Sequence, residues 1–74
     1  MEIFKERLKS LRKQQNLTQT DVAKQLKIAQ PSYVRYEKGT AEPSFENLVK
    51  LANLLNTTVD YLLGMDKIEK SNNH

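Results

Sequence analysis

Residues 17–39, LTQTDVAKQLKIAQPSYVRYEKG, carry two helix starts and two helix stops within 23 positions. Thr18 and Asp21 stand at the spacing of a capping box, with Asp replacing the usual Glu, so a helix starts there. Val22, Ala23 and Leu26 give that helix one apolar side, and the pattern lapses at Lys27 after about eight or nine residues. A second helix opens at Gln30, Pro31 and Ser32, because proline is tolerated in a first turn whose N–H groups have no intrahelical partner. It runs to about Lys38, where Gly39 ends it. The stretch therefore encodes two short helices joined by a tight turn.

The face of the second helix can be assigned by angle. With Gln30 at zero and roughly 100° per residue, Tyr33 falls near 300° and Tyr36 near 240°, which sets the core direction. Val34 (about 40°), Lys38 (about 80°), Pro31 (about 100°) and Arg35 (about 140°) point the other way. Gln30 lies on the flank in the first turn, and Ser32 on the opposite edge. An outward face carrying an amide, a hydroxyl, a guanidinium and an ammonium suits the DNA major groove. There, Gln pairs with both edge groups of adenine, Arg with both acceptors of guanine, and Val34 can meet a thymine methyl. The same residues taken alone also fit a merely solvated helix face.

Working outward, Phe4, Leu8 and Leu11 form the stripe of an amphipathic helix over about residues 2–15, with Asn16 as its stop. Downstream, Pro43 and Ser44 start a fourth helix whose stripe, Phe45, Leu48, Leu51, Ala52 and Leu55, is expected in the core and ends at Asn56. Thr58 caps a last short helix holding Val59, Leu62 and Leu63, and Gly64 closes it. No segment alternates with the period of a strand. The expectation is an all-α, compact five-helix domain over residues 1–64, followed by a polar, flexible tail over 65–74.

Composition bounds the function. The chain has 74 residues and no cysteine, which excludes a disulfide scaffold and a thiolate zinc site. At this length the core supplies only about 3–5 kcal/mol, so dimerisation would be a natural supplement. Residues 1–38 hold nine bases against four acids, whereas residues 39–74 hold three against five. A basic half suits a polyanionic partner, though ordinary proteins also show such a balance. No apolar run approaches the roughly 20 residues that span a bilayer, and the opening MEIFKERLKS lacks the apolar centre of a signal sequence, so a cytoplasmic protein with no membrane partner is expected.

Four segments in order, LTQTDVAKQLKI, AQPSYVRYEKG, PSFENL and VDYLL, resemble the lambda-repressor and Cro group of helix-turn-helix proteins, the xenobiotic-response-element family. The likeness covers about residues 3–63. It implies a sequence-specific, double-stranded DNA-binding transcriptional regulator, a repressor rather than an activator, with the second and third helices forming the helix-turn-helix. By resemblance, Gln30 reads a base, adenine first, and Pro31, Ser32, Val34 and Arg35 complete the reading face. Gln19 matches a phosphate contact that buttresses Gln30; Thr18, Lys38 and Thr40 match other backbone contacts. Arg12 and Glu37 correspond to a partly buried ion pair tying the first helix to the third. A homodimer on a pseudo-palindromic operator is implied, joined near Asn56, Thr57, Thr58 and Val59 and through Tyr61, with Met65 or Ile68 adding area.

The chain also departs from the family pattern. Lys27 stands where glycine is preferred, so either it adopts a left-handed conformation at a cost of about 1–2 kcal/mol or the turn differs. Ala29 cannot cap the recognition helix. Pro31 offers only a van der Waals surface, and Thr40, Ala41 and Glu42 replace residues that are often basic. Against an enzyme, the single histidine is the terminal His74, and neither Gly39 nor Gly64 lies in a phosphate-cradling loop. No metal or cofactor is expected. The rival reading is a protein-interaction module, an antitoxin or adaptor using the same fold.

Overall fold

The computed structural model describes residues 2–66. Five helices follow one another: α1 (Glu2–Gln14), α2 (Gln19–Leu26), α3 (Gln30–Lys38), α4 (Phe45–Leu54) and α5 (Val59–Leu63). Among the described residues there is no strand, and no helix is long and apolar enough to cross a membrane. Ile68, His74 and the rest of the expected tail beyond Asp66 lie outside the described residues.

The starts are set by hydroxyl caps. Thr18 Oγ1 accepts from the Asp21 N–H at 3.0 Å while Asp21 Oδ2 accepts from the Thr18 N–H at 2.8 Å, closing the capping box of α2. Ser44 caps α4 through the Asn47 N–H, and Thr58 caps α5 through the Tyr61 N–H. Ala29 opens α3 with no side-chain cap. That helix must be held by its tertiary contacts.

The stops share one device. Asn16, Lys27, Gly39, Asn56 and Gly64 all have positive φ, one just beyond each helix. At Lys27 (φ 60°, ψ 42°) the following Ile28 N–H reaches back to the Ala23 carbonyl at 3.0 Å, and Leu17, Thr40 and Thr57 make the equivalent bond to Arg12, Arg35 and Ala52. The turn between α2 and α3 therefore keeps its tight form, with lysine left-handed in the glycine position. At Gly64 there is a further demand, because a Cβ there would lie 3.0 Å from Ile3 Cδ1 and Cγ2.

Packing follows from the stripes. Leu8, Val22, Tyr33, Leu51, Leu55 and Leu62 are fully buried, so every helix sends at least one side chain to a common core. α2 packs on α3, α1 bridges α3 and α5, and α4 lies against α2 and α5. The α1 stripe is rotated from expectation: Phe4, Leu8 and Arg12 are buried, and Leu11 is only half-buried against the core. Phe45 departs outright. It is 89% exposed, not part of the core stripe that Leu48, Leu51, Ala52 and Leu55 form. As the first residue of α4 its side chain leans back over the chain preceding the helix, toward solvent. There it walls an apolar pocket with Phe4, Pro43, Leu48 and Leu63.

A left-handed lysine carries a steric cost that glycine lacks. Lys27→Gly is expected to raise the free energy of unfolding by about 1 kcal/mol, read from the urea midpoint with an unchanged slope.

Candidate nucleic-acid interface

The outer face of α3 rests on what holds the helix from behind. Tyr33 and Tyr36 are buried, with their rings edge-to-face at 6.0 Å between centroids. Together they fix the helix's rotation about its axis. On the opposite side Gln30, Pro31, Arg35 and Lys38 are exposed, and Ser32 and Val34 are half-buried. The expected outward face is therefore presented to solvent. Thr18 and Thr40 are exposed, whereas Gln19, which opens α2, is half-buried.

Behind that face lies a buried polar cluster centred on the Glu37 carboxylate. Arg12 Nε donates to Glu37 Oε2 at 2.6 Å and Arg12 Nη2 to Oε1 at 3.1 Å, the two-pronged geometry that guanidinium and carboxylate favour. The third guanidinium nitrogen, Nη1, donates to the Leu17 carbonyl at 2.9 Å in the turn between α1 and α2. Tyr33 Oη donates to Glu37 Oε2, and Gln19 Nε2 donates to Oε1 at 3.1 Å. A carboxylate offers about four acceptor positions, and here all are filled. Among the described residues no buried side-chain nitrogen or oxygen lacks a partner.

Electrostatics follow from this geometry. Burial alone would push the Glu37 carboxyl up, but hydrogen bonds from Arg12, Tyr33 and Gln19 outweigh it and hold it below the ordinary carboxylate range. The hydrogen bond to Glu37 holds Arg12 above its ordinary value. Burial, then the neighbouring carboxylate, pushes the Tyr33 phenol well up, so it remains a donor.

Two of these contacts were not anticipated. Gln19 spends an amide hydrogen on Glu37, whereas the resemblance implied Gln30 as its partner. Helical phase alone places Tyr33 in the core, and its i, i+4 relation to Glu37 on one helix is the signal for the added contact. A third finding lies nearer the start of α1. Arg7 sits 3.9 Å above the Tyr61 ring and its Nη1 donates to Asp66 Oδ1 at 2.9 Å, tying α1 to the chain after α5. No local pattern announces a contact between residues so distant in sequence. Among the dimer candidates Asn56, Thr58 and Tyr61 are exposed, and Thr57 and Val59 are half-buried.

The profile of the helix-turn-helix family matches residues 8–62, from the middle of α1 into α5. This chain belongs to the helix-turn-helix family. It is similar to the HTH-type transcriptional regulator YqaE of Bacillus subtilis, at 43% identity over 92% of this chain and 59% of the relative. ImmR, an HTH-type transcriptional regulator of the same organism, is 39% identical over 89% of this chain and 52% of its own length. The cryptic phage CTXphi transcriptional repressor RstR of Vibrio cholerae is 45% identical over 82% of this chain and 54% of its own. The chain thus spans just over half the length of these curated relatives. No solved structure gives a significant match.

Removing one member of a buried ion pair strands the other. Arg12→Ala is expected to cost about 3–5 kcal/mol in urea unfolding, whereas the double change Arg12→Met with Glu37→Leu recovers much of that loss. The acid limb follows from the depressed carboxyl. The Glu37 contribution is present above its ordinary value of 4.5 and is lost as pH falls through the lower folded value. Stability measured by thermal unfolding is therefore expected to fall below about pH 4.5, and less steeply in Glu37→Gln.

Proposed function

We propose that this domain binds double-stranded DNA sequence-specifically within a transcriptional regulator, as a repressor, by seating α3 in the major groove. The observation that carries this reading is the division of α3 into two faces. Tyr33, Tyr36 and Glu37 anchor it, while Gln30, Pro31 and Arg35 stand free on a rigid support. A helix held this way presents its side chains without further ordering of the backbone, which lowers the entropic cost of docking. The family and the printed names of the relatives, regulators and a repressor, support the same conclusion.

In this reading Arg35 donates to both major-groove acceptors of a guanine and Gln30 pairs with an adenine edge. Val34 and Pro31 supply van der Waals surface, and Ser32 a hydroxyl at the groove wall. Thr18, Gln19, Lys38 and Thr40 contact phosphates, setting register without reading sequence. The domain works without a metal or cofactor and has no catalytic role. A single half-site offers little surface, so two copies bind a pseudo-palindrome with half-sites about one helical turn apart, meeting through Asn56–Val59 and Tyr61. Its place of action is the cytoplasm, with the chromosome.

Selection from random duplexes is expected to return a two-fold site containing a guanine that Arg35 reads. Arg35→Ala should then weaken binding to that site by about 1–3 kcal/mol and relax preference at the guanine. Lys38→Ala should weaken all sequences alike and reduce the slope of log affinity against log salt by about one. Recovery of no sequence, or a binding constant indifferent to salt, overturns the DNA reading. Sedimentation showing one copy per duplex on the selected site overturns the dimer.

A further inference from the structure

The Glu37 cluster reaches from the core to the edge of the recognition face, and it does so through Gln19. Resting on the DNA-binding reading above, we propose that Glu37 is a positioning residue for recognition: it orients the Gln19 amide so that a hydrogen-bond donor faces the phosphate backbone.

A glutamine amide has a donor end and an acceptor end, and the two are nearly equal in shape. In solution either end can face outward. Here the Nε2 end is directed at Glu37 Oε1, 3.1 Å away, on a side chain that is half-buried at the start of α2. Turning the amide over would set the Gln19 carbonyl oxygen against a carboxylate, two acceptors with no hydrogen between them. The negative charge thereby selects one orientation. Arg12 and Tyr33 hold that carboxylate in turn, so it cannot swing away to release Gln19.

The selected orientation has a definite use. One Nε2 hydrogen is committed to Glu37, and the second is left to donate, the property that a phosphate oxygen requires. The Oε1 atom remains an acceptor, unsuited to a phosphate. Glu37 itself is buried behind Tyr33 and has no lone pair left for a ligand. Its influence on DNA must pass through Gln19.

The test is a double-mutant cycle on duplex affinity with Gln19→Ala and Glu37→Gln, each variant first shown to be folded by circular dichroism at the assay temperature. Glu37→Gln is expected to weaken the selected duplex about five-fold when Gln19 is present and less than two-fold when it is Ala, the two changes being coupled. The loss should be equal on all sequences and leave the salt slope unchanged, because a neutral amide neutralises no phosphate; its dependence on Gln19 is what a loosened fold alone would not produce. Equal losses in both backgrounds, or none in either, overturn the proposal while leaving DNA binding itself intact. Failure of the unmodified protein to bind any duplex overturns the underlying reading instead. Should Glu37→Gln not fold, the wild-type side-chain amide resonances decide. Gln19 is expected to show one downfield, exchange-protected proton against the freely exchanging pair of exposed Gln30, and equivalence of the two side chains refutes the orientation.

Discussion

One buried carboxylate sets the relative positions of the first three helices. Glu37 comes from α3, Arg12 from α1 and Gln19 from α2, and their hydrogen bonds converge on a carboxylate that is itself buried. Ion pairs at a surface contribute little, but a pair withdrawn from water must be complete, because each charge left alone is costly. That requirement makes the arrangement discriminating: α3 cannot slide or roll by a residue without stranding Glu37. Apolar packing of Tyr33 and Tyr36 would tolerate small shifts that this cluster forbids.

The order so imposed on α3 substitutes for what its ends lack. Its N-terminus has no hydroxyl cap, and Pro31 removes a donor there without a cost to the helix ladder. Nine residues make a marginal helix in water, so the helix depends on its contacts with α1 and α2. The result is a rod fixed along its inner side by rings and a carboxylate, and free along its outer side.

Much of this was legible in the sequence. Caps and stops are local chemistry, so Thr18, Ser44 and Thr58 gave the starts, and Asn16, Gly39, Asn56 and Gly64 the ends, of helices that lie where expected. Angular phase placed Tyr33 and Tyr36 inward and Arg35 outward correctly, because an α-helix fixes that relation. Phase failed for Phe45, since its side chain leans back off the packed length of α4, and periodicity does not report where that packing ends. It failed more subtly for Gln19 and Arg7, whose partners are set by tertiary approach. Glu37 lies 18 residues from Gln19, and Asp66 lies 59 from Arg7.

The left-handed stops have a bearing on how the chain assembles. Because each reversal is closed by bonds reaching back only a few residues, the bends form without waiting for distant segments to meet. A search reduced to docking short, already turned pieces is rapid, in the microsecond-to-millisecond range of small helical domains. Newly made protein would then spend little time with its leucines uncovered.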